Sequence, residues 1–226
     1  MILFEYTSRS LICQAYRAKI MLFMAKKARK KRGILVVVSG PSGVGKSTVV
    51  RRILKLNKNI KLSVSATTRP PRPGETHGEH YYFLSQEEFD QKVRNNEFVE
   101  WAKVHGYYYG TLVSTIKEQL IKGGTTVCEV DVQGAASIKE VLGKGKLKTA
   151  TVFIFLIPPS VDILAFRLKK RKTENLEVVN YRLRAAIAEL QVMEKYDYIV
   201  VNDRVESAAE KIQAIINVEK ERTLLN

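Results

Sequence analysis

Directly behind the apolar run Ile34–Val38 the chain reads Gly40-Pro41-Ser42-Gly43-Val44-Gly45-Lys46-Ser47-Thr48, and an amphipathic stretch follows at once. This is the pattern G-x-x-x-x-G-K-[ST] in the order strand, loop, helix. Glycines permit backbone angles that other residues avoid, so successive N–H groups can turn inward around a phosphate. The opening turn of the following helix adds N–H groups without intrahelical partners and a partial positive charge. In such a loop Lys46 reaches the β- and γ-phosphates of a nucleotide, and the Ser47 hydroxyl is placed to ligate Mg²⁺. An ordinary glycine turn lacks this strand-and-helix setting, so the chain is read as binding a nucleoside triphosphate.

The 226 residues suffice for one well-buried core with small inserted lobes. Hydrophobic content of 45% and charged content of 27% are those of a soluble globular protein, but the net charge of +15 is unusual. Much of it is local: Arg9, Arg17, Lys19, Lys26, Lys27, Arg29, Lys30, Lys31 and Arg32 face Glu5 alone, and the rest of the chain is still positive. Such a field suits small polyanionic ligands. No recognition motif or aromatic-interleaved basic repeat points to a specific nucleic acid. Near the N-terminus the longest apolar run is Ile20–Ala25, too short for a membrane span, and the basic cluster behind it is in the wrong order for a secretory signal. Two readings of residues 1–33 stay open. The favoured one is an upstream extension, disordered or loosely docked, with Met21 or Met24 as the working start and a cytoplasmic protein behind it. The other is an organelle transit peptide. Cys13 and Cys128 cannot make a disulfide framework, and Cys128 reads as a small buried hydrophobe. His77, His80 and His105 have no metal-ligand spacing and read as surface or site-rim residues.

Short apolar runs alternating with helical patterns predict an α/β fold with a parallel sheet. Strands are expected at Ile34–Ser39, Thr125–Asp131, Val152–Ile157 and Tyr198–Val201, with Leu62–Ala66 as a further candidate, and helices over Thr48–Leu56 and Ser207–Lys220. Two segments break the rhythm. Residues 67–112 are rich in Pro, Gly and Tyr and hold one helical pattern, Ser85–Asn95, with Ser85 as N-cap and Glu88 three residues on. Residues 160–196 are helix-rich and dense in Arg and Lys. Insertions that leave a parallel sheet at its carboxyl edge sit where ligands bind.

In the first insertion Ser63-Val-Ser65-Ala-Thr-Thr-Arg69-Pro-Pro-Arg72 sets two guanidiniums three positions apart in a proline-stiffened loop. Paired Arg forks suit phosphate oxygens, although alone this segment reads equally as a solvated basic turn. Further on come Gly78-Glu-His-Tyr81, Glu100-Trp101, Tyr108-Tyr109-Gly110-Thr111, Glu129-Val-Asp131-Val-Gln-Gly134, the Arg-rich stretch and Val-Asn202-Asp203. With these, the chain from about Gly33 to its last helix resembles the guanylate kinases.

That resemblance implies a P-loop nucleoside monophosphate kinase. Its core would be 33–66, 113–157 and 197–226, its GMP-binding lobe 67–112 and its lid 158–196, behind a basic extension 1–32. It implies that Gly40 to Thr48 and Asn202 bind ATP, with Asn202 near the adenine; a backbone cap is the other reading of Asn202. Ser65, Arg69, Arg72, Tyr81 and Tyr109 would hold the GMP phosphate, and Glu100, Thr111 and Asp131 would read the guanine or lie beside it. A carboxylate can accept both N1–H and the 2-amino group of guanine while a hydroxyl donates to O6, a match that adenine cannot make. Tyr107 and Tyr108 serve equally well as packing aromatics. Lys46, Arg167, Arg171 and Arg182 would stabilise the transferring phosphoryl group, the lid arginines having a solvated helix as their other reading. Lys170 and Lys172 stand where many family members carry Gly.

The implied reaction is the reversible, Mg²⁺-dependent transfer of the ATP γ-phosphoryl group to GMP or dGMP, giving ADP and GDP or dGDP, within purine nucleotide metabolism. Positioning and charge neutralisation carry such a transfer, without a covalent intermediate. A guanylate-kinase-like interaction domain and a kinase for another small molecule are the competing readings. The intact Gly45-Lys46-Ser47 speaks against the first, and Glu100 with Thr111 against the second. The sequence leaves monomer and homo-oligomer open.

Overall fold

All six residues of Ile34–Ser39 (β1) are buried, as a central strand covered on both faces requires. The computed structural model describes Lys19, Met21 and residues 33–104, 106–143, 151–169 and 176–223. The expected basic extension lies outside these residues except for Lys19 and Met21. Five parallel strands form the main sheet in the order β2-β7-β1-β8-β9: β2 is Ile60–Leu62, β7 Thr125–Glu129, β8 Thr151–Ile157 and β9 Tyr198–Val201. Alternation along β1 divides the core. Ile34, Val36 and Val38 meet helix α1 (Lys46–Leu56) through Val49, Val50 and Ile53, and helix α7 (Val205–Thr223) through Ala208, Ala209, Ile212 and Ile216. Leu35 and Val37 meet α3 (Val113–Ile121) through Ile116 and Leu120, and α4 (Val132–Gly143) through Ala135, Ile138 and Leu142. Two further helices, α5 (Val161–Lys169) and α6 (Leu176–Leu190), pack together through Leu164, Leu168 and Ala186. No helix among the described residues is long and apolar enough to cross a membrane.

Residues 63–112 hold more order than their composition announces. A second, four-stranded sheet runs β4-β3-β6-β5, from β3 (Ser65–Thr67), β4 (Tyr82–Phe83), β5 (Phe98–Val104) and β6 (Tyr107–Leu112). Helix α2 (Gln86–Arg94) covers it, burying Phe89 in a cluster with Ala66, Phe98 and Leu112. The expected strand Leu62–Ala66 is two strands in different sheets, because the chain crosses between them at Ser63-Val64. The expected strand Thr125–Asp131 ends at Glu129, since Asp131 turns to accept the Gly134 N–H at 2.7 Å at the entrance of α4. Helix α1 starts at Lys46 rather than Thr48: Gly45, with φ 98°, is its N-cap, so the helix begins one residue later. Strands β5 and β6, neighbours along the chain, pair antiparallel, with Gly106 ahead of β6 at φ 89°.

The start of α2 is as expected. Ser85 Oγ accepts the Glu88 N–H at 3.1 Å and Glu88 Oε2 accepts the Ser85 N–H at 2.7 Å. Because this cap orients the helix that carries Phe89, Ser85→Ala should destabilise the protein by about 1 kcal/mol, lowering the melting temperature by about 2–4 °C. Thermal unfolding of the two proteins measures it; an unchanged midpoint would remove the cap from the stability of this lobe.

Candidate active site

The glycine-rich loop leaves β1 through Gly40, whose φ of 144° and whose fit against the sheet both exclude a side chain: a Cβ would stand 2.4 Å from Leu156 O. Val49 N–H closes the first helical bond onto Gly45 O at 3.1 Å. The N–H groups of Lys46, Ser47 and Thr48 therefore belong to the turn that has no intrahelical acceptors. Lys46 folds back over the loop, its Nζ donating to Gly40 O at 2.7 Å and Pro41 O at 3.2 Å. The Ser47 hydroxyl donates to Glu129 Oε1 at 2.5 Å. Behind the loop, buried Asn202 donates from Nδ2 to Val44 O at 2.7 Å. Arg167, on α5, donates to Val44 O at 3.1 Å and Asn202 O at 3.0 Å. Ser42 N–H meets Glu189 Oε2, from α6, at 3.0 Å.

Across the cleft the second sheet sets Ser65, Thr111 and Glu100 side by side, through the pairings Ser65 with Thr111 and Thr111 with Glu100. Directly opposite residues share a face. Ser65 and Glu100, with Tyr81, Ala102, Tyr109, Glu129 and Asp131, line a cleft of about 150 Å³. At its floor the buried Thr111 hydroxyl donates to Glu100 Oε1 at 2.6 Å, with Cys128 Sγ at 3.7 Å behind it. Burial pushes the Glu100 carboxyl above the ordinary carboxylate range and the Asp131 charge adds to this, against the Thr111 hydrogen bond. Burial also pushes the Cys128 thiol up to about 12, so it is a protonated, inert wall.

At the other end of the cleft Arg69 is held from all sides. Its NH2 donates to both oxygens of Glu75 at 2.9 Å, its NH1 to Pro70 O at 2.7 Å, and its guanidinium lies 5.5 Å from the Tyr81 ring centroid. Arg72 is exposed, and its backbone N–H donates to Glu75 Oε2 at 2.7 Å. Glu75 reaches back because Arg72-Pro73-Gly74-Glu75 is a tight turn, closed by Glu75 N–H onto Arg72 O at 3.0 Å with Gly74 at φ 85°. The Arg72 N–H, then the Arg69 guanidinium, hold the Glu75 carboxyl below its usual range. Tyr81 and Tyr109 meet edge to face, centroids 6.1 Å apart.

The structure thus gathers Ser65, Arg69, Tyr81, Glu100, Tyr109, Thr111 and Asp131 around one cleft, and Lys46, Ser47, Arg167 and Asn202 at the phosphate loop. Arg182 lies on α6, partly buried, while Arg171, Lys170, Lys172 and His105 lie outside the described residues. Three carboxylates escaped the sequence reading. Glu129 had a signal, being the charged end of an otherwise uncharged buried strand. Glu75 had a weaker one in the Pro-Gly turn before it. Glu189 had none, since a helical carboxylate is ordinary and only the packing of α6 brings it to Ser42.

A raised carboxyl pKa makes the folded protein take up the proton more readily than the unfolded chain, so this group costs stability as pH rises through its folded value. Glu100→Gln removes that cost and keeps an acceptor for Thr111. The variant should melt above wild type at about pH 8, with the gap closing toward about pH 4. A gap independent of pH in a melting series would show that Glu100 is not strained as a charge.

The guanylate kinase family model matches residues 32–219. The chain is 47% identical over 191 residues to a guanylate kinase from Caldanaerobacter subterraneus, covering 84% of this chain and 90% of that one. It is 48% identical over 190 residues to a guanylate kinase from Clostridium tetani, covering 84% and 88%. The crystal structure of guanylate kinase from Anaplasma phagocytophilum superposes with a TM-score of 0.68 at 34% identity, over 86% of this chain and 90% of that one. With a loop, cleft and two-sheet arrangement of this kind and a family match spanning nearly the whole described chain, the protein belongs to the guanylate kinase family.

Proposed function

We propose that this protein transfers the γ-phosphoryl group of ATP to GMP, and to dGMP, reversibly, giving ADP and GDP or dGDP, in the cytoplasm. The observation that carries this reading is the polarity of the cleft. A buried hydroxyl and a desolvated carboxylate lie at one end, and Arg69 lies at the other with its neighbours Tyr81 and Tyr109. Guanine fits the first end, since Glu100 accepts from its two donors while Thr111 turns its hydroxyl to O6. Adenine leaves a partly buried carboxylate without its donors, the kind of mismatch that discriminates strongly. Arg69 and Arg72, with Ser65, Tyr81 and Tyr109, take the phosphate, and Asp131 lies beside the base.

The phosphate loop from Gly40 to Thr48 takes the triphosphate, with Lys46 leaving its carbonyl acceptors for the β- and γ-phosphates. The Ser47 hydroxyl and the Glu129 carboxylate are hard oxygen donors 2.5 Å apart, a pair that fits Mg²⁺. When bound, that ion neutralises charge on the β- and γ-oxygens. Asn202 and Arg167 brace the loop through Val44 O, and Asn202 stands at the adenine side of the loop. Arg167, Arg171 and Arg182 supply positive charge to the moving phosphoryl group from the lid, residues 158–196. The acceptor oxygen is already anionic, so the chain needs no strong base; it needs alignment and exclusion of water.

Three experiments test this. In a coupled assay with ATP and each of GMP, AMP, CMP and UMP, GMP should be the strongly preferred acceptor, and equal use of AMP would overturn the reading. Glu100→Gln should lower kcat/KM for GMP by about 2–4 kcal/mol, since an amide presents a donor to guanine donors, while KM for ATP stays near wild type. Lys46→Ala should abolish transfer but leave the calorimetric Kd for GMP within about threefold, because Lys46 donates to the phosphate-loop carbonyls of Gly40 and Pro41. Equal loss of GMP affinity would mean that the two nucleotides do not occupy separate ends.

A further inference from the structure

The segment Glu129-Val-Asp131-Val-Gln-Gly134 ends in a glycine for which neither the fold nor the reaction accounts. Gly134 lies in the first turn of α4, where alanine is the better helix former. Its backbone is outside the left-handed region, so the conformation does not call for glycine. The surroundings do. A Cβ at Gly134 would stand 3.1 Å from Glu100 Oε2, 3.2 Å from Val130 Cβ and 3.3 Å from Asp131 Oδ1. The bare α-carbon therefore backs both carboxylates at the base end of the cleft, and its N–H donates to one of them, Asp131 Oδ1, at 2.7 Å.

The two oxygens of Glu100 are not equivalent. Thr111 holds Oε1 at 2.6 Å, and Gly134 lies behind Oε2. Along the edge of guanine the groups run O6, N1–H, 2-amino. With Thr111 at O6, Oε1 faces N1–H and Oε2 faces the 2-amino group. We propose that Gly134 is a specificity-determining residue, its missing side chain seating Glu100 Oε2 where it accepts from the 2-amino group and so separates guanine from hypoxanthine. Inosine monophosphate keeps O6 and N1–H and lacks only that amino group. The inference rests on Glu100 reading the base.

The test compares the Kd of GMP and of inosine monophosphate by calorimetry on wild type and Gly134→Ala, with KM for ATP measured alongside. A methyl group that displaces Oε2 should weaken GMP about tenfold and inosine monophosphate by less than about threefold, with KM for ATP unchanged. In a Glu100→Asp background the shorter carboxylate withdraws from the methyl group, so the penalty on GMP from Gly134→Ala should shrink. Equal weakening of both nucleotides, no weakening of either, or a Gly134→Ala protein that fails to fold would each overturn the inference, assigning the glycine to packing against Val130. If Glu100→Gln leaves GMP kinetics intact, it is the base reading that fails, whatever the glycine does.

Discussion

Val44 directs its carbonyl back into the protein, where Asn202 Nδ2 at 2.7 Å and Arg167 at 3.1 Å both donate to it. The peptide bond is trans, so the next N–H, that of Gly45, points the opposite way, into the concave side of the loop. Two donors behind the loop thus set the direction of a donor in front of it. The anchorage draws on distant parts of the chain: Asn202 closes β9 and Arg167 stands near the end of α5. A loop rich in glycine is costly to order. Binding one inward carbonyl twice fixes the loop without filling the space that a ligand needs.

The same economy appears with carboxylates. Glu75 lies on Arg69, Glu129 on Ser47 and Glu189 on the Ser42 N–H, so three donors facing the cleft or the loop each hold a carboxylate of the chain itself. In a chain of net charge +15 these acidic partners keep cationic and donor groups in single orientations rather than in a set of solvated rotamers. Arg69, 8% exposed and resting against two aromatic rings, is the extreme case. Its geometry is set before any phosphate arrives.

Strands β1, β7, β8 and β9 were legible because each is a run of apolar or β-branched residues, and α1 and α7 because each shows one apolar face. Strand β2, with Lys61 at its centre and one buried residue, and the helices α3 and α4 were not read. Ile34–Ser39 and Tyr198–Val201 were expected with the boundaries they have. The second sheet was hidden. Tyr107-Tyr-Tyr-Gly-Thr-Leu and Phe98-Val-Glu-Trp alternate poorly because Glu100 and Tyr109 line the cleft while Trp101 and Tyr107 stay exposed, and a bulge at Phe98/Glu100 breaks the period. Site chemistry and strand signal compete for the same positions there. The phosphate loop was readable from spacing alone, whereas Glu75 and Glu189 act through contacts that no local pattern encodes. Asp131 is a third kind of case: a carboxylate visible in the sequence whose second task, capping α4, depends on where β7 stops.

The crossing at Ser63-Val64 bears on how the protein moves. The second sheet and α2 join the main sheet by only two covalent connections, this one and the direct passage from Leu112 into Val113. A body tethered at two points keeps one easy rotation, the one about the line joining them, and resists the others. Along the sequence Ser65 directly follows the first tether and Thr111 lies one residue before the second, and the two are cross-strand partners. Rotation about that line swings a residue through an arc that grows with its distance from the line. Thr111, beside one tether, thus stays nearly still while the far rim of the lobe travels.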